Sequence, residues 1–371
     1  MRIIAVTTWF PTERAPSSGA FVAKDVAAIA ARPQIDSVDV LHLVPPHQDD
    51  GIRALTREGL RVRRVPMSTR SPLDILTVAR SLGSLLAGAD VVHTMAFSSL
   101  LPFGLNRPDA PWVHTEHWSG LTTPATLPLA ARAALPLLRP LLRMPDVVTG
   151  VCEYLAGPIR SARADAPTAV VPCIVPPRQH LAPRPMRPRM PLRLVAVGGL
   201  VDRKDPLLAV DTVAELARRG VSAHLTWVGD GELREAVERR ARKRKVGHRV
   251  RLAGTADAAG VSAALNAADL FFLPTRADNF CVSAAEALVH GRPVVVGATG
   301  GQGEYIRPEV GTLVDLQEAS AYADAIVETE RRTRHLNASD IAETIGDSFS
   351  AARVGAGYVA GYRAAAEGRR A

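Results

Sequence analysis

Cysteine is scarce. Three residues, Cys152, Cys173 and Cys281, are spread through 371 positions. That is too few and too scattered for a disulfide framework or a cysteine-rich zinc site, and no basic residue is paired with them in sequence to activate a thiol. Aromatic residues make up only 5% of the chain, which argues against reading nucleic acid by base stacking. No stretch of about 18 uncharged apolar residues occurs, so no spanning helix is expected. The opening run MRIIAVTTWFP is too short for a signal-peptide core and reads as a first buried strand. A reducing, cytoplasmic setting is the expectation. No Gly-x-Gly-x-x-Gly turn follows that strand, and Gly198-Gly199 lacks a third glycine at the required offset, which argues against a nicotinamide enzyme.

What is present is ordinary globular composition, 47% hydrophobic and 22% charged, with length for about two domains. The net charge of +8 favours anionic partners such as nucleotides or anionic lipid surfaces. Short β-branched runs alternate with helical spacing throughout. Strands are expected at 2–8, 38–44, 61–65, 90–94, 111–115 and 146–151, then at 192–198, 223–229, 249–254, 269–274 and 292–297. Helices are expected at 204–219, 232–245 and 282–290. Such alternation builds βαβ crossovers and parallel sheets covered on both faces. The Pro/Arg-rich stretch 176–191 cannot continue a helix or a central strand and reads as a linker. The expected architecture is α/β: two Rossmann-like, doubly wound domains, 1–175 and 192–348, facing a central cleft. The tail 349–371 is expected to be a helix crossing back to the first domain.

Four motifs follow the linker in order: VAVGGLVDRKD (195–205), LTWVGDGELREAVERRA (225–241), ADLFFLPTRADNFCVSAAEALVHGRPVVVG (268–297) and ATGGQGEYI (298–306). Lys204 stands just past a strand end, where an ammonium and free backbone N–H groups suit a phosphate. Val282 and Ser283 open a helix and offer a second anion site. Glu286 lies one turn further on the same face.

Together these motifs resemble those of the retaining, two-Rossmann-domain (GT-B) glycosyltransferases of group 1, family 4 type. The Asp278-to-Glu286 spacing is similar to the family's E-x7-E element, and Gly198 through Asp205 to its G-R-L-x-x-x-K-G turn. The resemblance implies transfer of a sugar from a UDP-, GDP- or ADP-linked donor to a hydroxyl, with retention of configuration. It assigns Lys204 to the diphosphate, Glu286 to the ribose, and Asp278 with the backbone of Asn279 and Phe280 to the sugar; Arg203, or a residue elsewhere, is expected to stand in for the cation missing at Gly199. No Asp-x-Asp element occurs, so no metal and no cofactor are expected, and cations with helix termini take the metal's role. Five positions depart from the family, two of them Cys173 where Asn is usual and Cys152 where Ser is usual. Gly199 replaces an Arg, Asp278 the first Glu, and Cys281 a Gly.

The first half is expected to hold the acceptor side: a glycan, a lipid-linked acceptor or a small molecule, and no nucleic acid. Gly19 ends the loop after the first strand and lets backbone approach a ligand. The segment VHTEHWSG carries His114, Glu116 and His117 to the carboxyl end of a strand, aimed at the cleft. His117 matches a histidine that the family holds near the donor sugar, as a hydrogen-bond donor or acceptor-holding group; His93 and His114 read as packing. The Leu-rich stretch 127–145 with Arg132, Arg139 and Arg143 fits either a peripheral contact with an anionic membrane at its inner face or a buried helix on the sheet. Two other readings share the nucleotide features: a nucleotide-sugar epimerase or hydrolase, and a catalytically inactive nucleotide-sugar-binding protein.

Overall fold

The computed structural model describes residues 1–16, 18–184 and 191–370. The chain divides into two compact units, Met1–Ile174 with Phe349–Ala371, and Val175–Ser348. The first contains β1 (Arg2–Thr7), α1 (Ala20–Ala30), β2 (Ser37–Val44), β3 (Ala54–Arg57), β4 (Leu60–Pro66), α2 (Pro72–Leu85), β5 (Val91–Met95), β6 (Trp112–Glu116), α3 (Leu129–Leu138), β7 (Val147–Gly150), α4 (Glu153–Arg163) and β8 (Thr168–Val170). The second contains β9 (Leu192–Val197), α5 (Pro206–Arg218), β10 (Ala223–Val228), α6 (Arg234–Lys243), β11 (Val250–Gly254), α7 (Ala258–Ala267), β12 (Leu270–Leu273), α8 (Val282–Val289), β13 (Val294–Gly297), β14 (Gly311–Val314), α9 (Ala319–Thr333) and α10 (Ala338–Glu343). The final helix, α11 (Ala351–Gly368), belongs to the first unit.

The first sheet runs β3-β4-β2-β1-β5-β6-β7-β8 and the second β11-β10-β9-β12-β13-β14. Every pairing is parallel except β3 with β4. That hairpin turns on Glu58 and Gly59, both at positive φ, as a two-residue turn of matching twist requires. Residues of β5, β6, β12 and β13 are buried without alternation, because helices cover both faces. Strand order reverses at β1/β5 in the first sheet and at β9/β12 in the second. In such sheets ligands bind beyond the strand ends at that reversal.

The expected strands and helices are present to within about two residues at their ends. The strands β3, β8 and β14 were not expected. They are three or four residues long and pair at or near sheet edges, where little apolar periodicity is needed. Residues 185–190 of the linker lie outside the described residues. Just before them Arg184 is buried, donating to the Leu336 carbonyl (3.1 Å), to Thr333 Oγ1 (3.0 Å) and to the Thr333 carbonyl. The linker is therefore fastened to the second unit at Arg184.

Helix α11 completes the core of the first unit with Val354, Tyr358, Val359, Tyr362 and Ala365. The Tyr362 hydroxyl meets His93 Nδ1 at 2.8 Å, His93 Nε2 meets Thr115 Oγ1 at 2.7 Å, and Thr115 meets Thr149 at 2.7 Å. This buried row joins α11, β5, β6 and β7, and each member satisfies its neighbour. A second buried pair, Arg64–Asp50 at 2.6 Å, fixes the loop after β1: Arg64 donates to the Pro11 carbonyl (2.9 Å) and Asp50 accepts from the Glu13 N–H (3.0 Å).

Burial pushes His93 from 6.5 down to about 3, and burial followed by the Arg64 charge takes His42 from 6.5 down to about 4. Between these values and 6.5 the unfolded chain binds protons that the folded chain does not, so stability rises with pH in that window. Urea midpoints should therefore fall as pH drops from 6.5 toward 4, and His93→Gln should flatten the slope; equal slopes in both proteins would refute the assignment. Tyr362→Phe leaves His93 Nδ1 without that partner in the core and should cost about 1–3 kcal/mol.

Candidate functional site

In the second unit, the segment after β9 and the segment after β12 meet where the strand order reverses. Gly198 takes φ 152° and Asp202–Lys204 form one turn of 3-10 helix. Asp205 then caps α5, its carboxylate accepting the Leu208 N–H at 3.2 Å. This corrects one expectation: the Leu208 N–H in the first turn of α5 is already served by Asp205, and Lys204 precedes the helix rather than starting it. From the other side, the Arg276 N–H and Thr275 Oγ1 both donate to the Arg203 carbonyl, at 2.9 and 3.0 Å. Arg276 Nε also reaches Asp205 at 2.9 Å. The two segments are thus sewn together by backbone before any ligand is considered.

Their side chains converge on Asp278. Lys204, buried along its length, places Nζ against Asp278 Oδ2 in a close ion pair, and exposed Arg203 lies 3.4 Å from the same oxygen. Desolvation pushes the Asp278 carboxyl up. The charges of Lys204 and Arg203, with hydrogen bonds from Lys204 and the Cys281 N–H, outweigh that and hold it below the usual carboxylate range. Two cations around one carboxylate leave one positive charge in excess. Beside them α8 begins at Cys281 with no side-chain cap, so the N–H groups of Val282 and Ser283 keep their affinity for an anion. Glu286, half-buried, follows one turn later.

The loop carrying Asn279 and Phe280 is held from the glycine segment that follows β13. The Gly301 N–H donates to the Asn279 carbonyl at 2.9 Å, and Asp278 and Gly300 form an isolated parallel bridge. The Tyr305 hydroxyl donates to the carbonyls of Phe280 (2.9 Å) and Cys281 (2.8 Å), and its ring lies 5.2 Å from that of Phe280. Cys281 takes φ 56°, a left-handed conformation that favours glycine, which accounts for the residue type expected there. Burial pushes its thiol up, so it is not an activated nucleophile. Cys152 likewise does the work of a serine, its sulfur capping α4 through the Leu155 N–H at 3.3 Å.

In the first unit, the expected triad is largely buried, and the His117 side chain keeps only 7% of its surface exposed. His114 is fully buried, as packing requires, and Glu116 is fully buried as well, which corrects its expected aim at a ligand. Glu116 folds back on its own chain, accepting the N–H groups of His117 (2.9 Å) and Trp118 (2.8 Å) and lying 3.3 Å from His114 Nε2. His117 Nε2 is 3.5 Å from Asp25 Oδ2, and the ring packs 4.5 Å from that of Phe21. Phe21 and Asp25 are one turn apart on α1, so one helix face holds the imidazole from two sides. Gly19 precedes this helix at φ 62°, where a Cβ would meet the Trp9 carbonyl oxygen at 2.1 Å. Asp25 was not foreseen, although an acid inside the apolar run AFVAKDVAAIA was the available signal. The 127–145 stretch leaves Leu129 and Leu137 exposed, while Leu135 and Leu142 are buried.

Residues 191–331 match the family model described as glycosyl transferases group 1, and residues 22–174 match the glycosyl transferase 4-like domain. A GDP-mannose-dependent alpha-(1-6)-phosphatidylinositol monomannoside mannosyltransferase of Mycolicibacterium smegmatis is 29% identical over 300 residues, covering 73% of this chain and 75% of that one. Among solved structures, the sucrose-phosphate synthase of Thermosynechococcus elongatus superposes with TM-score 0.79 at 20% identity, covering 98% of both chains. A lipopolysaccharide outer core galactosyltransferase gives 0.77 at 15% identity, covering 97% of this chain and 99% of that one. With residues 191–331 and 22–174 both matched and two Rossmann-like units, this chain belongs to the group 1 glycosyltransferases and has their GT-B fold.

Proposed function

We propose that this enzyme moves a hexose from a nucleoside diphosphate sugar to a hydroxyl acceptor with retention of configuration. The observation that carries the reading is the Lys204–Asp278–Arg203 group beside the uncapped start of α8. The diphosphate lies against Lys204, Arg203 and the N–H groups of Val282 and Ser283. As the sugar bond breaks, negative charge grows on the leaving phosphate, and cations fixed beside it stabilise the transition state more than the ground state. Glu286 accepts hydrogen bonds from the ribose hydroxyls. Asp278, kept ionised by its two cations, accepts them from the sugar, and Asn279 and Phe280 offer backbone groups from a loop that Tyr305 holds still. His117, steadied by Asp25 and Phe21, donates to the sugar or holds the acceptor.

Of the three nucleotides, GDP is the first to try, with mannose as the sugar, because the mycobacterial relative's name carries that donor. The same name supports a lipid-linked acceptor. The exposed Leu129 and Leu137 beside Arg132 on α3 suit peripheral contact with an anionic membrane.

Calorimetry with the nucleoside diphosphate and steady-state kinetics with the intact donor test the assignment. Glu286→Ala should weaken nucleoside diphosphate binding about tenfold or more, through loss of charge-assisted hydrogen bonds. Asp278→Asn should lower turnover while leaving that binding equal or tighter, since it releases Lys204 and Arg203 to the phosphates. Lys204→Ala should reduce kcat/KM by about 10²–10³. His117→Ala should lower kcat without altering nucleoside diphosphate affinity. An unchanged dissociation constant in Glu286→Ala, or near wild-type turnover in folded Lys204→Ala, would overturn this arrangement.

A further inference from the structure

The fourth sequence motif, residues 298–306, has no part in the donor contacts given above, and its packing points to another role. It wraps the loop that leads into α8. The Asp278 N–H donates to the Thr299 carbonyl at 3.3 Å, and the Gly301 N–H donates to the carbonyls of Asp278 (3.3 Å) and Asn279 (2.9 Å). Gly300 takes φ 135°, and a Cβ there would come within 1.9 Å of the Asp278 carbonyl oxygen, so only glycine allows this approach. Gln302, wholly buried, anchors the segment by donating to the carbonyls of Gly297 (2.6 Å) and Thr299 (2.9 Å). On this base one turn of 3-10 helix, Gly301–Glu304, delivers Tyr305.

The Tyr305 hydroxyl reaches two consecutive carbonyls, Phe280 at 2.9 Å and Cys281 at 2.8 Å, as a three-centre hydrogen bond. In a planar trans peptide the C=O and the following N–H point in opposite directions. Holding the Phe280 carbonyl toward Tyr305 therefore aims the Cys281 N–H away from it, and that N–H is the one bonded to the Asp278 side chain. Holding the Cys281 carbonyl likewise aims the Val282 N–H, the first of α8 and one that no helical carbonyl serves. The two peptides flank Cys281, whose φ of 56° is sparsely populated for a residue with a side chain and persists only where the surroundings impose it. The Cys281 carbonyl already accepts from the Ala284 N–H at 3.0 Å, and the hydroxyl occupies its second lone pair.

We propose that Tyr305 is a positioning residue for donor binding, its one hydroxyl setting the directions of both the Cys281 N–H that steadies Asp278 and the Val282 N–H that meets the diphosphate. The identity of the ligand rests on the glycosyltransferase reading above; the two peptide orientations do not. Only φ and ψ of residue 281 separate the two peptides, so without the hydroxyl both N–H groups are freed together. Sugar contact and phosphate contact are thereby coupled through a tyrosine on the neighbouring strand's loop.

The test uses the full chain with its cysteines labelled by nitrogen-15. The three labelled amides, Cys152, Cys173 and Cys281, are assigned by serine substitution of each in turn. Tyr305→Phe keeps the ring that lies 5.2 Å from Phe280 and removes only the hydroxyl. It should move the Cys281 amide proton upfield, as the bond to Asp278 lengthens, and leave the amides of Cys152 and Cys173 in place. By calorimetry it should weaken binding of GDP or UDP, whichever the wild type binds, about tenfold, the loss of roughly one hydrogen bond to a charged group. A tyrosine serving packing alone would lower the unfolding midpoint and leave both readouts unchanged. Should Tyr305→Phe fail to fold, it is read in a Cys281→Gly background, where glycine relieves the left-handed position; nucleotide affinity should again fall about tenfold relative to Cys281→Gly alone. An unmoved Cys281 amide, or unchanged nucleotide affinity on loss of the hydroxyl, would overturn the proposal. If neither nucleotide binds the wild type, the glycosyltransferase reading fails and takes the donor role with it, while the Cys281 amide still decides whether Tyr305 sets the peptide orientations.

Discussion

A single carboxylate shared between two cations holds the second unit's site in shape. Asp278 sits at the end of one strand's loop, Lys204 and Arg203 at the end of its neighbour's, and the ion pairs draw the two loops together where the sheet reverses. Lys204 is buried, so its charge cannot be left alone; removing either partner strands a desolvated ion. Around this pair the backbone is stitched independently, through Thr275 and Arg276 to Arg203, and through Gly301 and Tyr305 to residues 279–281. The arrangement is thus preorganised on rigid elements rather than assembled on arrival of a ligand. The excess positive charge and the uncapped start of α8 then make the same spot attractive to an anion.

The first unit uses a different device. Its polar residues are mostly spent inside: His93, Thr115, Thr149 and Tyr362 satisfy one another in the core, and Glu116 turns back to hold the N–H groups of the loop it precedes. What reaches the strand ends is aromatic. Trp9, Phe21, Phe97, Trp118 and the His117 ring form a rigid group whose poses depend on Gly19 and Gly120 having no side chain. One unit therefore presents charge and the other presents flat apolar surface.

The architecture was legible along the chain because parallel sheets leave a strong mark. Strands covered on both faces become uninterrupted runs such as LFFL and VVVG, and the helices between them keep a 3.6-residue period. The short strands β3, β8 and β14 escaped, since an edge strand of three or four residues carries too little pattern to separate from a loop. At the second site the residue types and spacing of Lys204, Asp278 and Glu286 were readable, because consecutive motifs fall at successive strand ends. That Lys204 and Asp278 form a pair was not readable. They are far apart in sequence, and only the pairing of β9 with β12 makes them neighbours.

Sequence alone determined the α/β class, the glycine turns and the chemistry available at each strand end, since these depend on local periodicity and residue type. Tertiary structure decided which neighbours each ionisable group meets. His114, Glu116 and His117 lie within four residues of one another, yet packing buries the first two and leaves the third against Asp25 and Phe21 of a distant helix. It also gathered Trp9 and Trp118, more than a hundred positions apart, into one cavity. Burial, desolvation and proximity arise from contacts between segments remote along the chain, and no local pattern encodes them.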